Sequence, residues 1–186
     1  MRQKTINRCD WVGNTELEQH YHDHEWGKVQ KNGHKLFEKI CLEGQQAGLS
    51  WLTILQKREE YRRCFFHFNP EKIAAMTSIE PLLQNSGLIR HPGKLSAIIT
   101  NARAYLKMEE NGENFSQFIW SFVDNQPIIN HYPSFKSIPA QTVISQSLSR
   151  ELKKRGFVFV GPVTCYAFMQ SMGLVNDHII SCFCHS

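Results

Sequence analysis

The last eleven residues of this chain of 186, NDHIISCFCHS, contain two histidines and two cysteines. His178 and Cys182 are four residues apart, so on a helix they share one face and can reach a single ion. They would supply half of a metal site, and Cys184 and His185 compete as ligands. The alternative is that His178 and Cys182 are packed residues without a metal, because free cysteine is commonly buried.

The other half of such a site would come from the N-terminal region. This region offers Cys9 together with three histidines, His20, His22 and His24. Two cysteines and two histidines fill a tetrahedral zinc site completely, which is typical of structural rather than catalytic zinc. Spacing alone does not decide among the three histidines.

A glutamate in the segment HKLFEKICLEGQQAG, residues 34–48, is a second candidate for chemistry. At about 100° per residue, Glu43 falls between Ile40 and Ala47 on the apolar face of a helix. The opposite side carries the polar residues Lys35, Glu38, Lys39, Gln45 and Gln46. A carboxylate on an apolar face is costly unless it is paired, so Glu43 either pairs with a buried arginine, caps a neighbouring helix, or anchors a ligand.

Aromatic residues surround this glutamate in the sequence. Trp51 follows Glu43 after a run of small residues, and Trp11, Tyr21 and Trp26 lie in one short N-terminal span. Such residues commonly form core. Beside a carboxylate they also favour a flat, positively charged ligand, because the rings offer stacking and cation–π attraction. The small residues before Trp51 favour a pocket of this kind.

The segment LKKRGFVFVGPVTCYAF, residues 152–168, reads as a helix, a glycine-bounded turn and a second helix. Pro162 suits a first helical turn, and the free amides there form an anion site. Gly156 and Gly161 allow close approach of a partner, and Lys153, Lys154 and Arg155 flank the turn. These features suit a nucleic-acid phosphate, although such a turn is also an ordinary structural connection. A second basic stretch, Arg90, His91 and Lys94, either touches the same strand or is a solvated surface.

The elements that must position these residues are helical, because amphipathic periodicity of the helical type runs through most of the chain. We therefore predict an all-α fold in a single domain, residues 1–186, with two helical lobes sharing the termini as a variant. Residues 126–141, which contain three prolines, are expected to form a connector. The predicted helices lie near 15–24, 34–48, 51–66, 70–76, 79–85, 92–110, 114–122, 142–154 and 162–173.

Composition excludes several classes of protein. The net charge of +4 is too small by itself to indicate nucleic acid, and no apolar stretch approaches the ~18 residues of a membrane span. The N-terminus lacks the apolar core of a secretory signal, so we expect a cytoplasmic protein without membrane contact. Its six cysteines should then be reduced, which favours metal binding over disulfides.

Taken together, these segments resemble the type I DNA-3-methyladenine glycosylases of the helix–hairpin–helix superfamily. The resemblance covers nearly the whole chain, and YHDHEWG followed by LEGQQAGLSW is its most specific part. The other matching segments, in order, are RCDWVG, SGLIRHPGK, NARAY, LKKRGFVFVG, CYAFMQ and GLVNDHIISC.

The resemblance implies a helix–hairpin–helix fold and removal of 3-methyladenine from alkylated double-stranded DNA. The free base leaves and an abasic site remains, after the base is flipped into an aromatic pocket. Glu43 would read the base edge, Tyr21 and Trp51 would stack on it, and Trp11 and Trp26 would line or support the pocket. Arg155, Gly156, Gly161 and Lys154 would contact the DNA backbone, and the protein would act as a monomer.

The resemblance also implies one structural zinc that joins the termini. Cys9, His22, His178 and Cys182 match the ligands of the family, which selects His22 and makes Cys184 and His185 bystanders. Asn176 stands where many relatives in the wider superfamily have a catalytic aspartate, so Asp177 is not assigned that role.

Glu18 stands where better-known members of this family are expected to have an aromatic residue. Either another ring fills the gap in the pocket wall, or the pocket has an additional acidic edge that favours a cation. An alternative function is a zinc-stabilised, non-catalytic nucleic-acid-binding module, but such a module does not need Glu43 beside aromatic rings. A zinc hydrolase would need an open coordination position, and four available ligands argue against it.

Overall fold

Helices form most of the regular structure in the computed structural model, which describes residues 6–185. Each predicted helix is present, with ends that differ by at most two residues. Among the described residues, no helix is both long and apolar enough to cross a membrane. The α-helices are α1 Glu16–His24, α2 Gly33–Gln46, α3 Trp51–Cys64, α4 Pro70–Ala74, α5 Glu80–Leu83, α6 Pro92–Glu110, α7 Phe115–Ser121, α8 Val143–Lys154 and α9 Pro162–Ser171. Short 3-10 turns occupy Phe66–Phe68 and Phe135–Ser137.

Capping side chains fix where the helices that carry the site begin. The Thr15 hydroxyl accepts from the backbone N–H of Glu18 and starts α1, and the Ser50 hydroxyl accepts from Thr53 and starts α3. Each cap satisfies a backbone donor that has no partner within its helix. Trp51 is therefore held as the first residue of α3.

Helix α2 is the centre of the fold and packs against α3, α6, α7 and α9. Because neighbours cover it on several sides, it is buried all round from Leu36 to Gln45 except at Glu38. The predicted division into an apolar face and a polar face is therefore wrong at Lys39 and Gln45, which are buried like Glu43. Tertiary packing, which helical periodicity does not record, explains the difference.

A small parallel sheet departs from the all-α prediction. Strand β1, Ile128–Ile129, lies in the connector and pairs with β2, Val175–Asn176, just before His178. With two residues each, these strands are too short to show alternation in the sequence. The pairing fixes the connector beside the C-terminal segment.

Candidate functional site

A cavity of about 330 Å³ lies among α1, α2, α3 and α9. Glu43 reaches it from α2, and aromatic rings form much of its wall. The cavity, called the pocket below, is lined by Trp11, Glu18, Tyr21, Trp26, Glu43, Gln46, Ser50, Trp51, Leu52, Phe135, Ala167 and Gln170. The structure thus gathers into one pocket all five residues that the sequence singled out for binding a flat ligand.

Glu43 is a buried carboxylate, with only 4% of its surface exposed. Burial raises its pKa, while the Lys39 ammonium and the Ser171 hydroxyl act in the opposite direction. The Lys39 Nζ lies 3.6 Å from Glu43 Oε1. Its predicted alternatives, a buried arginine partner or a helix cap, do not describe this contact, because the partner is a lysine one turn away on the same helix.

Aromatic rings in the pocket contact one another at several angles. The ring centroids of Tyr21 and Trp51 lie 5.4 Å apart, and those of Trp11 and Trp26 lie 5.2 Å apart. The indole N–H groups of Trp11 and Trp51 are buried without a hydrogen-bond partner among the described residues. Buried donors of this kind are rare in native proteins and point to a ligand or water as the missing acceptor.

Two residues form the edge where the sequence lacked an aromatic. Glu18 lines the pocket and accepts a hydrogen bond of 2.9 Å from the Thr15 hydroxyl. Phe135, from the connector, lines it as well. An additional acidic residue and an additional ring therefore both line the pocket. Sequence reasoning missed Phe135 because the connector carries no periodic pattern that assigns it to a wall.

The turn between α2 and α3, residues 47–50, is held by a buried lysine. The Lys94 ammonium donates to the carbonyl oxygens of Gln45 and Ala47, at 2.9 and 2.6 Å. The Gln45 side chain donates back to the Lys94 carbonyl at 2.8 Å. Lys94 was interpreted either as a contact to the nucleic-acid strand or as a solvated residue. Both interpretations are wrong, because Lys94 caps the C-terminal end of α2 next to the pocket.

The turn between α8 and α9, residues 155–161, is called the hairpin turn below. Asn101 of α6 holds this turn through the backbone of Val158. Its side-chain oxygen accepts from the Val158 N–H at 2.8 Å, and its side-chain amide donates to the Val158 carbonyl at 3.1 Å. Gly156 has a φ of +92°, which disfavours any side chain. Gly161 immediately precedes α9 and has no side chain, so no side-chain cap accepts from the amides in the first turn of α9.

The basic residues of the hairpin turn are paired with carboxylates. Arg155 Nε lies 2.8 Å from Glu113, and its Nη1 lies 3.0 Å from Glu151. Lys154 pairs with the same Glu151 at 2.7 Å but is largely exposed. Of these two side chains, Lys154 can exchange its partner at little cost, because exposed ion pairs contribute at most about 1 kcal/mol.

A cluster of two histidines and two cysteines lies near the pocket and is called the His–Cys cluster. Its ligand atoms, from His22, His178, Cys182 and Cys184, all lie within 4.8 Å of one another. The Nε2 atom of His178 is buried and has no hydrogen-bond partner among the described residues. A buried lone pair without a donor fits a metal ligand.

Neighbouring side chains orient both imidazoles of the cluster. The Nδ1 of His22 lies 2.8 Å from the Asp23 carboxylate, and the Nδ1 of His178 lies 2.8 Å from the Asn176 side-chain oxygen. Both contacts place the proton on Nδ1 and leave Nε2 as the free lone pair, as in many metal-bound histidines. Gly27 has a φ of +75°, and a Cβ there would lie 2.5 Å from the His178 ring.

Cys9 lies beside the cluster but is not one of the four residues whose ligand atoms lie within 4.8 Å of one another. Cys184 is one of those four. The Cys9 thiol lies next to that of Cys182, and its backbone nitrogen is 3.5 Å from His22 Nε2. Cys184 contacts the cluster directly, because its backbone N–H donates to Cys182 Sγ at 3.4 Å, and its interpretation as a bystander to the metal stays a prediction.

Asp177 is fully buried and does not line the pocket. Its carboxylate accepts hydrogen bonds from the Tyr166 hydroxyl, the Gln170 amide and the Asn130 amide. These contacts join the connector to α9. These hydrogen bonds give Asp177 a structural role, and no catalytic role is assigned to it.

Comparisons with known proteins agree with this geometry. A family model described as methyladenine glycosylase matches residues 11–185. A DNA-3-methyladenine glycosylase of Haemophilus influenzae is 62% identical over 95% of this chain and 97% of its own. A crystal structure of a 3-methyladenine DNA glycosylase I superposes with a TM-score of 0.96, at 59% identity, over 97% of this chain and 100% of the other. A variant of a 3-methyladenine DNA glycosylase I in complex with 3-methyladenine superposes with a TM-score of 0.93, at 37% identity, over 97% and 98% of the two chains.

Proposed function

Because the chain belongs to the methyladenine glycosylase family, we propose a mechanism by which its pocket excises 3-methyladenine from alkylated DNA. The chain is a DNA-3-methyladenine glycosylase, a hydrolase that acts on the N-glycosidic bond in base-excision repair. It leaves an abasic site and free 3-methyladenine. The observation that carries the proposed mechanism is the buried Glu43 carboxylate in a pocket walled by aromatic rings.

Methylation at N3 gives the purine a positive charge, and the pocket is built for such a ligand. Tyr21 and Trp51 stack on the flipped base, and Trp11 and Trp26 support them. Glu43 accepts hydrogen bonds from the base edge and supplies the complementary charge. An unmodified adenine is neutral and gains less from this carboxylate, so charge contributes to selection.

The reaction needs little acid catalysis, because the cationic purine is already a good leaving group. The bond between C1′ and N9 breaks, and both electrons pass to the purine, which becomes neutral. The positive charge moves to the sugar, where water attacks C1′ and loses a proton. The pocket contributes by holding the base outside the duplex in one orientation.

The hairpin turn is proposed to hold the DNA backbone beside the pocket. The uncapped amides in the first turn of α9 suit a phosphate, and the helix dipole favours the negative charge. The turn at Gly156 lets the backbone approach closely, and Lys154 and Arg155 add positive charge at its rim. This assignment corresponds to a helix–hairpin–helix contact with DNA.

We infer that one structural zinc is bound by three residues of the His–Cys cluster, His22, His178 and Cys182, together with the adjacent Cys9. The unpartnered Nε2 of His178 supports this inference. Cys184 belongs to the close set and Cys9 does not, but the Cys184 thiol donates to the Asp23 carbonyl oxygen at 4.0 Å, so we assign it as a protonated thiol and Cys9 as the fourth ligand. When bound, the zinc would neutralise buried thiolates and fasten the two ends of the chain together.

Base release and the variant Glu43→Gln test the proposed function. The purified protein should release free 3-methyladenine from methylated duplex DNA, measured by chromatography of the soluble fraction. Glu43→Gln should retain DNA affinity within about threefold but lose at least about 30-fold in release. This loss corresponds to the 2 kcal/mol or more expected when one partner of a buried charge contact is removed.

Glu38→Gln is the matched control for this experiment. Glu38 lies on the same helix, pairs with Arg62 and does not line the pocket. It should release the base at the wild-type rate. If the wild-type protein releases no base the proposed function is wrong, and if Glu43→Gln releases it at the full rate the role of Glu43 is wrong.

A further inference from the structure

A buried cation lies behind the wall of the pocket. The Lys39 Nζ lies 3.8 Å from the centroid of the Trp51 ring and 4.5 Å from that of Tyr21. It also donates to the Tyr21 hydroxyl at 2.5 Å. Lys39 itself does not line the pocket but lines the polar cleft on the neighbouring side of Tyr21. Lys39 therefore acts on the pocket through its contacts with the wall residues Tyr21 and Trp51 and with Glu43.

The other charged groups near this lysine largely neutralise one another. Helix α1 contributes Tyr21 and Glu25, and α3 contributes Arg58. Glu25 and Arg58 form a two-fold contact of 2.6 and 3.0 Å, so their charges cancel at short range. Helix α9 contributes the neutral Ser171 hydroxyl beside Glu43. Within residues 6–185, Lys39 is the cation that acts directly on Glu43.

We propose that Lys39 is a positioning residue that keeps Glu43 ionised and fixes the Tyr21 ring and hydroxyl in the pocket wall. The proposal rests on the proposed function, because it assigns Glu43 the recognition of the cationic base. Burial favours the protonated form of this carboxylate, which has no charge to attract that base. The ammonium, 3.6 Å away, opposes this effect by favouring the ionised carboxylate, and it does so without lining the pocket.

The same cation limits how strongly the pocket binds positive charge. A positive charge behind the Trp51 and Tyr21 rings weakens their attraction for a cation in front of them. Lys39 and Glu43 together carry no net charge, so selection depends on Glu43 being nearer to the base than the Lys39 ammonium is, and on Glu18, the other carboxylate that lines the pocket. Lys39 thus lowers the affinity of the aromatic rings for the cationic base but favours the ionised form of Glu43.

The pH dependence of base release distinguishes this role from simple packing. The acid limb of kcat/KM reports the pKa of Glu43 in the free enzyme, because the carboxylate must be ionised. Replacing Lys39 by methionine removes the charge that lowers this pKa. The acid limb of Lys39→Met should therefore move to higher pH by roughly 1–3 units, the range for an opposite charge within 4–6 Å.

Two further variants provide controls. Lys35→Met removes an exposed charge one turn earlier on the same helix and should leave the acid limb unchanged. Lys39→Arg keeps the charge and should bring the limb back toward the wild-type position. If Lys39→Met folds and its acid limb coincides with that of the wild type, the proposal is wrong.

A titration of the wild-type protein tests the pair even if Lys39→Met fails to fold. Burial lowers the pKa of Lys39 to about 8. The carbon-13 signal of the Glu43 carboxyl, assigned with Glu43→Gln, should therefore change at the pH where the Lys39 nitrogen-15 signal titrates. Independence of the two signals would overturn the proposal. A wild-type protein without base release would refute the proposed function alone, because this titration does not depend on activity.

Discussion

The unpartnered indole N–H of Trp11 makes a prediction at the scale of a single residue. Trp11→Phe keeps an aromatic ring in the pocket but removes the buried Nε1–H donor. If a bound base accepts this hydrogen bond, kcat/KM for base release should fall about 5- to 12-fold, the value of a 1–1.5 kcal/mol hydrogen bond. Stability should change little from loss of the donor, because the N–H has no partner to leave unsatisfied. Steady-state kinetics and thermal unfolding measure the two effects.

Trp120→Phe is the control with the opposite pattern. Trp120 is buried far along the chain in α7, and its indole donates to the Gln30 carbonyl at 2.9 Å. Its loss leaves that carbonyl unsatisfied, so stability should fall by about 1–3 kcal/mol while kcat/KM of the folded protein is unchanged. Equal kinetic effects in both variants would mean that Trp11 acts only through packing.

At this scale the sequence predicts the anchor of the pocket but not its surroundings. Glu43 stands out because it interrupts an apolar stripe, a signal that helical geometry supplies directly. Lys39 falls on the polar side of the same projection and carries no signal. Its burial follows from α1 and α3, which bring Tyr21, Trp51 and Arg58 over that side of α2. Such contacts between distant segments are absent from local periodicity.

At the scale of elements, Asn101 makes the hairpin turn a property of α6 as well as of α8 and α9. Both of its hydrogen bonds go to the backbone of Val158. Asn101→Ala should lower the free energy of unfolding by about 1–3 kcal/mol, because buried backbone groups lose their partner. It should also raise the Kd for duplex DNA roughly 2- to 12-fold, the cost of ordering the loosened turn on binding. Chemical denaturation and fluorescence anisotropy check the two values.

Asn111→Ala controls for loss of an asparagine from α6. Asn111 caps the C-terminal end of that helix, is exposed, and makes no side-chain hydrogen bond within the described residues. It should leave both stability and DNA affinity close to wild type. A loss of DNA affinity in Asn111→Ala equal to that in Asn101→Ala would separate the hairpin turn from DNA binding.

The positions of the helices are predictable here because each has a recognisable cap or proline at its start. The Pro162 and Pro92 positions, for example, mark the first turns of α9 and α6. The strands β1 and β2 are not predictable, because their pairing joins residues more than 40 positions apart and neither strand is long enough to alternate. Lys94 was missed for a similar reason, since its partners are carbonyls at the end of another helix.

At the scale of the whole molecule, the His–Cys cluster joins the first and last described segments. His22 is adjacent to Tyr21, and the T-shaped contact between Trp26 and His178 has ring centroids 4.6 Å apart. The cluster therefore holds the pocket wall against the C-terminal segment. The sequence predicts which ends meet, because the ligand types recur at both, whereas the choice of Cys9 over Cys184 comes from the family resemblance.

The connection between the two ends should depend on one bound zinc. Elemental analysis should find one zinc per chain, and Cys182→Ser should lose it. With free zinc at 100 times its dissociation constant, binding contributes about 2.7 kcal/mol, which for a chain of this size corresponds to a fall in Tm of roughly 5–11 °C on removal. Cys9→Ser should behave like Cys182→Ser, whereas Cys184→Ser should keep its zinc and most of its Tm. The reverse pattern would make Cys184 the fourth ligand, and zinc loss without a fall in Tm would contradict a structural role, because a metal that joins both ends must stabilise the fold.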